Sequence, residues 1–382
     1  MNIRQLRLDD MLQIADLLAT RDGFDRKRGE DRTAIMAWIA FRNPFMKPGQ
    51  PTYFVAEDAG RIVAIHGRMP VMFSVRGKTV RGYYVHDLYV HKEYREKGKG
   101  FWLTMELAKT IERETDSFFS LYGMTDLNLL IQRRRRYHEM SFDAFIKVLR
   151  PAEAIDRFVR SRALARFLGP IAWVGLRIAD MILLPRRAAS SSVSRVQVFD
   201  HRFDEFFQRI SPKLGICTVK SSAYLDWKYG SGPCREDWVL VAQHLETIKG
   251  FLVVGKAPHR DRPAAVIKDF VADPEDRETV RSLLVAAILH CRGKGYYSIR
   301  CAVSDVRFAR HLRRLMFLPM AGHEFVFLGN LDKVSDEAVT VSEIRNWHVT
   351  LGESDIFMMS GGTPPEEDVA GLHRNAVSKS AV

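Results

Sequence analysis

Residues 95–100 read Arg-Glu-Lys-Gly-Lys-Gly, a short segment that combines glycines with cations. The glycines can adopt positive φ and leave room for backbone N–H groups to face an anion. The cationic side chains add mobile positive charge, and a helix beginning after Gly100 would add about half a positive charge at its N-terminus. We call residues 95–100 the glycine loop and predict that it binds a pyrophosphate.

The residues around the loop argue against other phosphate-binding and metal-binding motifs. A Walker loop ends in Gly-Lys-Ser or Gly-Lys-Thr, whereas Gly100 is followed by Phe101 and Trp102. The Rossmann pattern G-x-G-x-x-G does not occur early in a parallel unit. The 4 cysteines form no C-x-x-C pair, the 12 histidines lack metal-ligand spacing, and no basic segment is interleaved with aromatics. We therefore predict no metal and no specific nucleic-acid partner.

The elements that must position the loop follow from the hydrophobic pattern. A strand is predicted over residues 79–90 and a helix over residues 101–113, where Leu103, Leu107 and Ile111 form one stripe. The other predicted elements are a strand and helix within residues 2–18, a helix over 34–42, strands over 53–57, 61–69 and 71–75, a strand over 117–122, a helix over 127–137 and a strand over 142–148.

The second half of the chain repeats this order of elements weakly. Residues 267–271 are similar to residues 85–89. A predicted helix over 278–291 follows the first of these segments, just as the predicted helix over 101–113 follows the second. The intervening residues 272–280 are acidic and lack glycine, so they would repel a pyrophosphate. We predict an internal duplication with a cofactor site only in the first half. The predicted divisions are a domain over residues 1–150, a connector and Ser-rich linker over 151–194, a domain over 195–335, and an extension and tail over 336–382.

The connector leaves two interpretations open. Its apolar run is broken at Gly169 and Pro170 and interrupted by Arg177 and Asp180, so it falls short of the roughly 20 apolar residues of a spanning helix. It could form helices packed on the domains, or a basic segment that contacts a membrane surface through residues 157–187.

Composition narrows the class of protein. The chain has 382 residues, more than one ordinary core holds, and its 58 Lys and Arg against 46 Asp and Glu give a net charge of +12. That charge suits a polyanion, such as a phosphorylated cofactor, nucleic acid or anionic lipid. Few cysteines and an N-terminus without a secretory pattern predict a cytoplasmic protein.

The strand end at residues 88–90 followed by R-x-x-G-x-G resembles the signature segment of the GNAT superfamily of acyl-CoA N-acyltransferases. The resemblance implies an α/β (α+β) fold of two tandem GNAT-like domains, each a mixed, mostly antiparallel twisted sheet flanked by helices. It also implies that the loop binds acetyl-CoA or another acyl-CoA as co-substrate. The cofactor-binding residues implied by it are Leu88, Tyr89, Val90, Arg95, Glu96, Lys97, Gly98, Lys99, Gly100, Phe101 and, on the following helix, Asn128.

The resemblance assigns catalytic roles as well. Family members carry a helical tyrosine shortly before a Gly-Phe pair, and Tyr137 precedes Ser141 and Phe142 in a similar way, with serine replacing glycine. Tyr137 would protonate the departing CoA thiolate. A carboxylate or water chain near the central strand would take the proton of the attacking amine; of His86 and Asp87, Asp87 is the first choice. The second half keeps an acid, Asp269, at the position that matches Asp87, which argues partly for a structural role of Asp87.

Together these features predict an N-acetyltransferase that moves an acetyl or short acyl group to a primary amine by direct attack in a ternary complex. The segments around Trp38 and Trp227 resemble acyltransferases found near bacterial surface-polysaccharide genes, which suggests an amino sugar or related metabolite as acceptor. Two alternatives remain open. One is a tandem GNAT-like transferase of the cell-wall type that uses aminoacyl-tRNA, and the other is a non-catalytic acyl-CoA sensor or peripheral membrane protein. The chain is expected to be a monomer or homodimer.

Overall fold

The computed structural model describes residues 1–21, 25–122, 126–150, 174, 192–257, 263–333 and 341–353. Of the predicted connector and linker, residues 151–173 and 175–191 lie outside the described residues, as does the tail beyond residue 353, whereas residues 192–194 begin a strand. The helices are α1 (Met11–Ala19), α2 (Arg26–Arg42), α3 (Lys92–Glu96), α4 (Gly100–Glu114), α5 (Asp126–Arg134), α6 (His201–Leu214), α7 (Ser222–Leu225), α8 (Arg277–Gly293) and α9 (Val306–Arg314). The strands are β1 (Asn2–Gln5), β2 (Tyr53–Asp58), β3 (Arg61–Val75), β4 (Lys78–Val90), β5 (Phe119–Tyr122), β6 (His138–Val148), β7 (Ser192–Val196), β8 (Ile216–Thr218), β9 (Trp238–His244), β10 (Thr247–Lys256), β11 (Ala265–Ala272), β12 (Ser298–Ala302) and β13 (Leu318–Gly329).

One sheet of 13 strands runs through both halves of the chain. Its order is β1-β2-β3-β4-β5-β13-β6-β12-β11-β10-β9-β7, and β8 pairs with β3 beside this path. Neighbouring strands are antiparallel except for the pairs β4–β5 and β11–β12. The predicted fold class, a mixed and mostly antiparallel sheet flanked by helices, is confirmed, with the sheets of the two halves joined edge to edge.

The last strand of each half lies within the sheet of the other half. β13 pairs with β5, where Val326 lies opposite Tyr122, and β6 pairs with β12, where Ser298 lies opposite Val148. β6 and β13 also pair with each other at the centre of the sheet. The order β4, α4, β5, α5, β6 therefore has a counterpart in β11, α8, β12, α9, β13, which is the arrangement an internal duplication would produce.

The turns before the two exchanged strands have the same backbone geometry. Arg136 (φ 57) and Met316 (φ 61) both adopt the left-handed conformation. In each turn this residue donates its N–H to the carbonyl three residues earlier, and the next residue donates to the carbonyl five residues earlier. Phe317 therefore occupies the place that Tyr137 occupies in the first half, and only the first half carries a phenol hydroxyl there.

Alternation along the strands separates two apolar clusters on opposite faces of the sheet. On β2, Tyr53 and Val55 belong to the cluster under α1 and α2, which extends through the second half. Phe54 and Ala56 belong to a smaller cluster under α4. The predicted apolar stripe of α4 is confirmed, because Leu103, Leu107 and Ile111 are all buried.

The segment of residues 341–353 returns to the middle of the molecule and meets a buried group of charges. Glu353 accepts hydrogen bonds from Lys220 Nζ at 3.0 Å and from Thr218 Oγ1 at 3.0 Å. Lys220 also donates to Asp269 at 2.7 Å, and Lys228 lies 3.4 Å from the same carboxylate. Burial opposes ionisation, yet the two lysines hold the pKa of Asp269 well below its usual range. Two cations and two anions thus cancel inside the core.

Replacing Asp269 with alanine is expected to lower the free energy of unfolding by about 3–5 kcal/mol, because Lys228 would remain buried without a carboxylate. Asp273→Ala is the control, since Asp273 pairs with the half-exposed Lys213 near the surface and its loss should cost about 1 kcal/mol or less. Urea unfolding followed by tryptophan fluorescence measures both. Equal losses in the two variants would contradict the role given to the buried charges.

Candidate active site

The glycine loop joins α3 to α4 through two glycines with different tasks. Gly98 has φ 74, and the N–H of Lys99 donates to the carbonyl of Tyr94 at 2.9 Å, so Gly98 ends α3 in the left-handed conformation. A Cβ atom on Gly100 would lie 3.1 Å from the Cα atom of Arg95. Of the two glycines predicted to accept positive φ, only Gly98 does so, and Gly100 instead permits close packing.

The first turn of α4 carries backbone donors where the glycine loop ends. The N–H groups of Gly100, Phe101 and Trp102 precede the first helical hydrogen bond, which Leu103 donates to the carbonyl of Lys99 at 3.1 Å. Phe101 and Trp102 are 55% and 50% exposed, so this turn opens to solvent. The helix end thus offers N–H groups and a dipole to an anion.

β4 and β5 diverge beside this helix end. The two strands pair only where Tyr83 lies opposite Phe119 and Tyr84 lies opposite Ser120. Within the described residues, β4 continues to Val90 without a partner on this edge, and a gap opens along residues 85–90. The residues predicted to pair with a bound arm, Leu88 to Val90, lie on this stretch.

A bulge lies at the start of the gap. Ile65 of β3 pairs with Tyr89, whereas Gly67 pairs with His86, so β4 contains one extra residue between them. Asp87 lies in this bulge with φ 52. Bulges reorient side chains within a strand, and this one directs Asp87 toward α2.

The carboxylate of Asp87 is fully engaged in hydrogen bonds. The guanidinium of Arg32, on α2, donates to Oδ1, and the hydroxyl of Tyr53 donates to Oδ2 at 2.9 Å. Nδ1 of His86 lies 2.8 Å from Oδ2. Burial opposes ionisation, but Arg32 and His86 hold the pKa of Asp87 far below its usual range. The carboxylate therefore stays ionised at neutral pH.

The second nitrogen of the His86 ring is left without a partner beside a small cavity. His86 Nε2 is buried and forms no hydrogen bond within the described part of the chain. Burial raises the pKa of Tyr122, with the Glu324 carboxylate nearby. The cavity, of about 10 Å³, is lined by Ile39, Met69, Tyr84, Val85, His86, Tyr122 and Glu353. An imidazole oriented by a carboxylate, with its far nitrogen open, has the geometry of a general base.

Tyr137 belongs to the opposite face of the sheet. Its ring packs edge-on against Phe119, with centroids 5.4 Å apart. Its hydroxyl donates to Glu112 of α4 and accepts a hydrogen bond from Arg135 Nε at 2.8 Å. Burial and the hydrogen bond to Glu112 raise the pKa of Tyr137, so the phenol keeps its proton.

The predicted site residues thus fall into three groups. The glycine loop and residues 88–90 adjoin the gap, and Tyr137 packs against α4 on the same side as the loop. Asp87 is directed toward α2 and is not brought together with Tyr137. Asn128 lies in the first turn of α5. The sequence offers His86 and Asp87 as candidate bases and favours Asp87, because the unpaired ring nitrogen of His86 depends on the bulge and has no local signal.

Comparisons with known proteins are consistent with this geometry. Residues 2–125 match the family described as an acetyltransferase (GNAT) domain, and the match includes the glycine loop and the bulge. No curated protein sequence is significantly similar to the chain.

Solved structures share the fold at low sequence identity. N-myristoyltransferase of Saccharomyces cerevisiae with bound myristoyl-CoA is 15% identical, with a TM-score of 0.55 over 86% of this chain and 82% of that chain. GCN5-related N-acetyltransferases of Kribbella flavida and Anabaena variabilis are 12% and 13% identical, each with a TM-score of 0.54. They cover 87% and 86% of this chain and 71% and 72% of their own. The shared feature is the fold, which is therefore GNAT-like across most of the chain.

Replacing Arg32 with methionine is expected to destabilise the protein by about 3 kcal/mol near neutral pH, because Asp87 loses its buried cation. The lowered pKa of Asp87 stabilises the wild type above the unfolded-state pKa of about 3.9, and this contribution is lost as the pH falls through the folded-state pKa. Without Arg32, burial raises the pKa of Asp87. In mild acid the carboxyl group of the variant is therefore protonated, and the buried charge that destabilises the variant is removed. Urea unfolding should therefore show that the difference in free energy of unfolding between the wild type and the variant narrows between pH 7 and about pH 4.5.

Arg26→Met, at the exposed start of α2, is the matched control. Arg26 is 75% exposed and pairs only at the surface, so its loss should change stability little at any pH. If the stability difference between the wild type and Arg32→Met stays constant with pH, the assignment of Asp87 as an ionised carboxylate is wrong.

Proposed function

We propose that the chain is an acyl-CoA-dependent N-acyltransferase with one active site, between the glycine loop and the bulge of β4. The observation that carries this proposal is the position of helix-end N–H groups, which have no partner among the described residues, beside the gap between β4 and β5. The helix end suits a pyrophosphate, and the gap suits an extended arm whose amide groups pair with β4. The match of residues 2–125 to an acetyltransferase (GNAT) domain supports the same conclusion.

The binding roles follow from these two features. Within residues 95–101, the N–H groups of Gly100 and Phe101 would hold the pyrophosphate of CoA, because the N–H groups of Arg95, Lys97, Gly98 and Lys99 donate within the chain. The cationic side chains of the loop would add positive charge. Leu88, Tyr89 and Val90 would pair with the pantetheine arm along the open edge of β4. Asn128, on the helix α5 that follows β5, would make a further polar contact to the pantetheine arm.

The reaction joins an amine nitrogen to the thioester carbon. The N–C bond forms, the C–S bond breaks, and CoA leaves as a thiolate. We propose that His86 Nε2 accepts the proton released by the amine, while Asp87 orients the ring through Nδ1. Tyr137 would protonate the thiolate. This assignment moves the base from Asp87 to its neighbour, because an engaged carboxylate with a strongly lowered pKa is a poor proton acceptor.

The two halves of the chain differ where these roles lie. The acid at position 87 recurs as Asp269, and each acid is bound by a buried cation and a tyrosine hydroxyl, which favours a structural role for both. By contrast, His86 corresponds to Lys268, and Tyr137 corresponds to Phe317. The imidazole and the phenol are therefore features of the half that carries the glycine loop.

The proposal extends to the class of acceptor and to the length of the acyl chain. A primary amine on a small metabolite, such as an amino sugar, fits direct attack in a ternary complex. One structural neighbour holds myristoyl-CoA and two others are described as N-acetyltransferases, so acetyl and long-chain donors both merit testing. Transfer from aminoacyl-tRNA and a non-catalytic sensor are the competing functions, and CoA binding followed by thiol release discriminates among all three.

Gly98→Glu is expected to weaken binding of acetyl-CoA or myristoyl-CoA at least about tenfold, because a carboxylate would face the pyrophosphate. Gly49→Glu is the matched control: both glycines have φ 74, and neither has an atom within 4 Å of the Cβ position. The backbone strain is thus the same in both, and only the location differs. Isothermal titration calorimetry measures the affinity.

Two results would count against the proposal. Unchanged affinity in Gly98→Glu would remove the loop from the binding site. A wild type that binds neither donor, but binds RNA in a salt-sensitive way, would favour the tRNA-dependent alternative.

His86→Gln and Tyr137→Phe are expected to lower the rate of thiol release while leaving acyl-CoA affinity nearly unchanged. The first removes the proton acceptor and the second the proton donor, each worth about a hundredfold or more in turnover. Tyr137→Phe should also fold normally, since Phe317 fills the equivalent position in the second half with the same backbone turn. Turnover close to wild type in either variant would exclude the corresponding role.

A further inference from the structure

A second cavity lies in the half that lacks the glycine loop. It opens between α8 and α9, has a volume of about 370 Å³, and is lined by Arg277, Arg281, His311, Arg314 and Leu315. Three arginines from two helices thus line a space to which the buried Leu315 adds an apolar side chain. We propose that this cavity, which we call the arginine cavity, binds the phosphate group of a small phosphorylated molecule.

Two of the three arginines that line the cavity carry charge without a described ion-pair partner. Arg277 and Arg314 are exposed and form no hydrogen bond or ion pair with the residues that the structure describes. The acids just before α8 are engaged elsewhere: Asp276 caps the helix by accepting from the N–H of Thr279 at 3.1 Å, and Asp273 pairs with Lys213. Glu275, in the turn before α8, and Glu278, on α8 between Arg277 and Arg281, are the remaining acids beside the cavity in the described part of the chain. Three arginines therefore outnumber two carboxylates, and a net positive charge remains.

His311 adds a neutral wall to this charged space. Its Nε2 atom lies 3.3 Å from the carbonyl oxygen of Pro274, which fixes the ring. Burial lowers the pKa of His311, and nearby Arg314 and Arg277 lower it further despite the bond to Pro274. The ring therefore packs beside the guanidinium groups without adding to their repulsion at neutral pH.

The geometry favours a phosphate over a single carboxylate. Arg277 and Arg281 lie one turn apart on α8, and Arg314 ends α9, so arginine side chains line the cavity from two helices. Guanidinium groups match the oxygens of phosphate, and a phosphate offers several arginines more acceptor oxygens than a single carboxylate does. The volume is at the lower end of ligand pockets, which leaves room for a small organic group beside the phosphate.

The arginine cavity also explains how a second anion site could arise without glycines. α8 is the counterpart of α4, and both helix ends offer a positive dipole. In α4 the first residue is Gly100, and backbone N–H groups are open. In α8 the first residue is Arg277, behind an acidic turn, and side chains supply the charge.

Titration of inorganic pyrophosphate and inorganic phosphate by calorimetry tests the proposal. The Gly98→Glu background is used so that the first anion site is blocked, and one site per chain is expected. The variant Arg277→Gln/Arg314→Gln should weaken binding at least about tenfold. Its control, Lys78→Gln/Lys256→Gln, removes the same charge from exposed positions outside the cavity and should bind as the unmodified background does. The melting temperature should match in both double variants, because the replaced side chains are exposed.

Flotation with phosphatidylcholine vesicles, with and without phosphatidylinositol phosphate, identifies the source of the phosphate. Arginine-dependent binding only to the phosphorylated vesicles supports the site with a lipid headgroup as ligand, and binding of soluble phosphate supports it with a metabolite. Equal weakening in the two double variants, or no binding of any probe, would overturn the proposal. Neither result would affect the proposed function, which acyl-CoA binding at the glycine loop tests separately.

Discussion

Backbone hydrogen bonding between β6 and β13 is the interaction on which the rest of the structure depends. These strands pair with each other at the centre of the sheet, and each also pairs with the penultimate strand of the other half. An unpaired buried backbone group is costly, so the two halves satisfy each other's hydrogen bonds and form one sheet. Because β13 holds the far edge of β5, β5 stays apart from β4 beyond Tyr84, and the gap beside the glycine loop is fixed by the second half.

Buried carboxylates at matching places organise both halves. Asp87 binds Arg32 and Tyr53, and Asp269 binds two lysines and Tyr229. Ions in a core are tolerated when they are paired and hydrogen-bonded, and each acid here meets that condition. Each acid ties its strand to neighbouring segments. In the second half this includes the segment that ends at Glu353, whose side chain also lines the cavity beside His86.

The same framework presents two kinds of positive surface. At α4, glycines clear the helix end and expose backbone N–H groups, which suits a ligand that runs onward along β4. At α8, an acidic turn precedes the helix, and arginine side chains gather at the groove with α9. Backbone donors are fixed in place, whereas arginine side chains are long and adjustable, so the two sites are suited to different ligands. A duplicated fold can thus keep its packing while its helix ends diverge in chemistry.

The sequence by itself determined most of the local structure. The pattern of apolar residues predicted α4 and the strands around it, and residues 95–100 predicted a turn with a left-handed glycine before α4, because periodicity and glycine conformations are encoded within a few neighbouring residues. The tertiary structure decided the exchange of β6 and β13, the engagement of Asp87 by Arg32, and the open nitrogen of His86. Arg32 and Asp87 are 55 positions apart, and Lys220 and Glu353 are 133 apart. No local pattern records such pairs, since they form only when the sheet brings distant segments together.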